Sequence, residues 1–230
     1  MNIFEKIFKS KDTEDTDNYS ENRKKYKNLL DNINLLVEVS ENRADMIPYI
    51  VQILIDNLNY REAAFSLFSA ENTSNRIFNE SFLELFRKLA QELGLNIRVK
   101  EIPTKTISMK EVPILINPWK GDRVINNMLH INEENKLDGV KYIHNITNVY
   151  IPSFDIIVCE NGNHSQFAGK HKDIGRTVIN KQYDLEKLYK YVEFDGDGFK
   201  NIKTGEYMYM CDDEISFTAG VIFELKRKRG

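Results

Sequence analysis

Phe154-Asp155-Ile156-Ile157-Val158-Cys159-Glu160-Asn161-Gly162-Asn163-His164-Ser165 is the stretch on which the reading of this fold turns. Its first six residues are apolar except for Asp155, and turn residues bound them, as expected of a buried strand. Gly162 breaks the run, and His164 to Lys170 can open a helix. The first N–H groups of a helix have no partner inside it, and they favour an anion at that end. Gly162 allows a tight turn and a close approach of backbone to ligand. His164 adds a ring proton donor and Ser165 a hydroxyl. Asn161 and Asn163 can hydrogen-bond a base, a sugar or a phosphate.

Upstream of this stretch the texture is helical. Tyr26, Leu29, Leu30, Ile33, Leu36 and Val37 recur at helical spacing and predict an amphipathic helix from Lys24 to about Glu41. A second helix is expected over Ala44–Leu58, with Pro48 tolerated only in its first turn. Arg61–Ala70 reads as a third and Asn79–Leu93 as a fourth, with Gly94 at its C-cap. Beyond Gly94 strands take over. Ile97, Val99 and Ile102 alternate with polar residues, and Val112–Ile116 is a short apolar run that stops at Asn117-Pro118. Val124–Ile131 suits a helix. Tyr142–Ile151 alternates loosely, and Asp195-Gly196-Asp197-Gly198 predicts a hairpin turn between Tyr189–Phe194 and Phe199–Ile202. Tyr207–Met210 adds a strand, and Ser216–Lys228 reads as a closing helix. The fold class expected is α+β: residues 1–22 a flexible N-terminus, 23–94 a helical region, 95–230 a mixed-sheet α/β domain.

Composition narrows the function classes. The chain has 230 residues, 41% hydrophobic and 29% charged, so it can bury a core without staples. Thirty-two basic side chains oppose 35 acidic ones, for a net charge of −3. Such a balance sets up no long-range attraction to nucleic acid or anionic lipid, so a phosphate-bearing partner must be met by a local site. Cys159 and Cys211 form neither a disulfide framework nor a zinc pattern. No apolar run approaches the roughly 20 residues that span a bilayer, and a cytoplasmic location is expected. Ile3, Phe4, Ile7 and Phe8, with Lys6, Lys9 and Lys11, make a short amphipathic run at the start. Ser10–Asn22 holds almost nothing apolar and reads as a linker.

The run Asn161-Gly162-Asn163-His164-Ser165-Gln166-Phe167-Ala168 resembles the helix-opening box of the ParB/sulfiredoxin-like superfamily. That box is commonly written Asp-Gly-x-His-Arg, then two residues and an alanine. The order of elements is similar too: Pro113–Ile116, then Asn117-Pro118-Trp119 with Arg123, a helix near Val124–Ile131, and the strand Phe154–Cys159. The resemblance covers about Val112 to Lys170. It implies a ParB-like α/β domain and a phosphate- or nucleotide-binding pocket that acts on a nucleotide or nucleic acid. Ser165 stands where the family has the arginine that grips phosphate. Arg123, Lys170 or Lys172 must then offset the charge. In a catalytic version of the site, His164 is the general acid/base.

Other patterns point elsewhere. His164 and His171 lie seven residues apart, yet no HxxxH or HxH spacing supports a metal, and none is expected. Asp195-Gly-Asp-Gly lacks the ligand order of an EF-hand loop, because Gly198 falls at position four. Asp212, Asp213 and Glu214 suit an acidic turn opening a helix. Lys226-Arg227-Lys228-Arg229 is a compact basic patch that either contacts phosphates or complements a helix end. Trp119 is either a lid on the core or a stacking platform beside the pocket. The alternative function is a non-catalytic interaction protein of a bacterial or phage-related system. There the helical front meets a protein partner and the His164 turn is structural. Both readings leave the cofactor unknown.

Overall fold

Six α-helices and eight strands make up a computed structural model that describes residues 20–39, 46–69 and 78–228, without the side chains of 34–39 and 78–80. The amphipathic run at Ile3–Phe8 and most of the Ser10–Asn22 segment lie outside the described residues. The α+β class expected from the sequence is what the chain adopts: helices first, then a mixed sheet of five strands and a small sheet of three. Among the described residues no helix is long and apolar enough to cross a membrane.

The elements gather into two compact units that do not follow chain order. One holds Ile50–Glu186; the other joins the described residues up to Tyr49 with those from Lys187 onward.

Helix α2 (Met46–Phe68) threads most of its length through the first unit. The sequence suggested a break between Leu58 and Arg61, and there is none. No glycine or proline lies between Tyr49 and Phe68, and Leu58 and Asn59 are both buried, so packing carries the helix straight through. Pro48 sits in the first turn, where its missing N–H costs nothing. Helix α3 (Phe78–Glu92) follows, with Gly94 in the left-handed conformation just beyond it (φ 65°). Its apolar side buries Phe82, Leu83, Leu85, Phe86 and Leu89. Full burial of one such side chain contributes about 1.5–3 kcal/mol.

The large sheet is ordered β1 (Lys100–Ser108), β5 (Arg176–Gln182), β3 (Thr147–Ile151), β4 (Ile156–Asn161), β2 (Ile114–Leu115). β3 runs antiparallel to β4 with Val149 opposite Val158, and β2 runs parallel to β4 with Ile114 opposite Ile157. Side chains along β4 alternate between faces. Ile157 and Cys159 join a cluster with Ile107, Val124, Phe167, Ala168 and Val178. On the opposite face α3 meets β4, and Phe82, Phe86 and Phe154 pack edge to face at 5.1–6.4 Å between ring centroids. Both faces are covered, which is why the strand reads as a continuous apolar run.

The two edges of this sheet end differently. β1 carries Pro103 inside a register shift between Glu101 and Lys105, and an irregular edge with proline and charge resists further pairing. Beyond β2 the side chain of Asn59 acts as a substitute strand: its Nδ2 donates to the Ile114 carbonyl and its Oδ1 accepts from the Ile116 N–H, both at 2.8 Å.

The second unit combines α1 (Glu21–Val39), the sheet β6 (Val192–Phe194), β7 (Gly198–Asn201), β8 (Tyr207–Met210), and α6 (Glu214–Arg227). The Asp195-Gly-Asp-Gly segment is a hairpin turn. Asp195 Oδ1 accepts from the N–H groups of Asp197 and Gly198, and its Oδ2 pairs with Arg23 and Lys200 at 2.6 Å. Asp213 caps α6 by accepting from the Ser216 N–H at 2.7 Å, so the acidic run opens a helix, as its composition suggested. Within the basic run Lys226–Arg229, Arg229 lies outside the described residues, and Arg227 and Lys228 are engaged. Arg227 and Lys228 pair with Glu224, a carboxylate only 1% exposed that also accepts the Phe194 N–H.

Candidate functional site

Strand β4 ends at Asn161, and helix α5 (Asn163–His171) starts two residues later. Gly162 makes the junction in the left-handed region (φ 87°, ψ 19°), where a side chain is strained. A Cβ there would also stand 3.0 Å from the Asn145 carbonyl. Because the N-cap is glycine, no side chain caps this helix start. Ser165 Oγ turns back to donate to the Gly162 carbonyl at 3.1 Å, and Asn161 Oδ1 accepts the Gly162 N–H at 2.9 Å.

The loop that leads into helix α4 (Gly121–His130) is stitched onto this turn at two points. Asn163 Oδ1 accepts the Asn117 N–H at 2.9 Å, and His164 Nε2 accepts the Lys120 N–H at 3.1 Å. With Nε2 an acceptor, the neutral ring carries its proton on Nδ1. His164 is 8% exposed, and its pKa falls to about 4. Burial is the main cause; the cations Arg123 and Lys120 add to it, and Asp122 opposes. Trp119 meets the imidazole edge-on at 5.2 Å, and the Arg123 guanidinium lies 5.6 Å from the indole centroid. The loop containing Trp119 is therefore one wall of the turn.

Beneath it lies a fully buried polar network on Asn148, Gln166 and Thr177, each 0% exposed. Asn148 Nδ2 donates to Gln166 Oε1 at 3.0 Å and to the Val178 carbonyl at 2.6 Å. Gln166 Nε2 donates to Asn148 Oδ1, to Cys159 Sγ and to the Asn161 carbonyl. Thr177 Oγ1 donates to Gln166 Oε1 at 2.6 Å. One glutamine in the first turn of α5 thus binds the helix start to β3, β4 and β5. Burial pushes the Cys159 thiol well above its usual range, so it is a packed thiol and not a nucleophile.

Of the residues singled out in the sequence, Asn161, Gly162, Asn163, His164, Ser165 and Arg123 do come together. Lys170 does not. It is the eighth residue of α5, about 10 Å along the axis from Asn163 at 1.5 Å per residue. Its Nζ is spent on the Met109 carbonyl at 2.8 Å. Lys172 likewise donates to the Met128 and Ile131 carbonyls at the end of α4, with the Ile131 bond at 2.7 Å. Among the described residues no group of three His, Cys, Asp or Glu side chains could hold a metal ion. Asn148 was not foreseen, and Gln166 and Asn117, though inside the quoted motifs, were given no role of their own. Their only sequence signal is an amide inside an otherwise apolar pattern or beside a turn.

The sequence profile of a family of unknown function, DUF6710, matches residues 9–229. The chain belongs to this family. The DUF6710 match takes in both compact units, and with them the β4–α5 turn, the Asn117–Lys120 loop and the buried amide network. No curated protein and no solved structure matches this DUF6710 chain.

Proposed function

We propose that this protein binds a phosphate-bearing ligand, in the leading reading a nucleotide in a ParB-like pocket, at the start of α5. The observation that carries the reading is a helix start without a side-chain cap, set beside the Trp119 loop and Arg123 in the first turn of α4. Uncapped N–H groups and the positive end of the helix dipole favour an anion. Arg123 supplies the cation that Ser165 does not. His164 in this reading shapes and donates, because a ring with a pKa near 4 and an engaged Nε2 is a poor proton shuttle at neutral pH. Asn163 is likewise occupied with the loop, through Oδ1.

A second reading, a non-catalytic interaction protein of a bacterial or phage-related system, draws support from the same histidine. His164 is nearly buried and its Nε2 serves the loop, which is what a structural turn requires. Thermal shift against inorganic phosphate and a panel of nucleotides separates the two, using wild type and Arg123→Ala. The first reading expects a ligand-induced rise in melting temperature that Arg123→Ala loses while its unliganded melting temperature holds. No rise with any ligand overturns it and leaves the second.

A further inference from the structure

We draw no further inference here: the strongest candidate, the apolar ridge that Ile125 and Leu129 expose on α4, is an unpartnered surface patch, and nothing in the structure shows what covers it.

Discussion

The main-chain N–H of Lys120 donates to Nε2 of His164 at 3.1 Å, so a loop 44 residues upstream is pinned to the first turn of α5 by an imidazole. The acceptor is specifically the distal ring nitrogen. A side chain that replaces it must therefore carry an oxygen or nitrogen at that reach.

Glutamine has such an atom, whereas asparagine places its oxygen nearer the Nδ1 position. His164→Gln is expected to stay close to wild type in urea denaturation. His164→Asn and His164→Ala leave the part-buried Lys120 N–H without its acceptor and lose about 0.5–1.5 kcal/mol. Equal losses in all three variants would contradict the acceptor role.

The depressed His164 pKa links stability to pH. Folding holds the ring neutral down to about pH 4, while the unfolded chain takes up a proton near pH 6.5. The unfolded state binds more protons in that window, so the contribution is present above pH 6.5 and drains away as pH falls toward 4. Comparing wild type with His164→Gln at pH 7.5 and pH 5 subtracts the carboxylates common to both. Wild type should lose more stability over this interval. A parallel loss in the variant argues that the ring is not held neutral by its site.

Asn148 and Gln166 should be energetically coupled. Each single change to alanine leaves buried partners unsatisfied, at about 1–3 kcal/mol per stranded group. The double variant should then cost less than the two singles added together, by about 0.5–3 kcal/mol. Denaturation midpoints of the four proteins in the cycle measure this directly. Strict additivity means the amides do not act as one network.

In the second unit, Glu224→Ala uncovers Arg227 and the Phe194 N–H together. The stranded buried Phe194 N–H costs about 1–3 kcal/mol, while the half-buried Arg227 keeps Glu193 at 3.9 Å. The loss should appear first in α6 and β6 amides by hydrogen exchange. Unchanged protection there shows the pair to be dispensable.

Much of the fold was legible in the residues themselves. The 3.6-residue rhythm from Tyr26 to Ile33, the apolar block Ile156–Cys159 and the glycine at 162 each declare themselves locally, because each rests on periodicity or on a backbone conformation. Strand β5 escaped notice. Arg176-Thr-Val-Ile-Asn-Lys-Gln has only three residues of buried character, and Thr177, Asn180 and Gln182 hide its period. It is a strand because β1 and β3 flank it and take up its hydrogen bonds. The break expected in α2 failed for a related reason: burial of Leu58 and Asn59 overrode a weak local signal.

Within the site the same division holds. The order strand, glycine, histidine, helix belongs to the sequence alone, since neighbouring residues settle where a chain turns and where a helix begins. Which cation stands beside that helix was a matter for the tertiary structure. It brought Arg123 next to Trp119 and His164 and sent Lys170 to Met109, because a partner many residues away is chosen by packing and by the need to satisfy buried backbone groups.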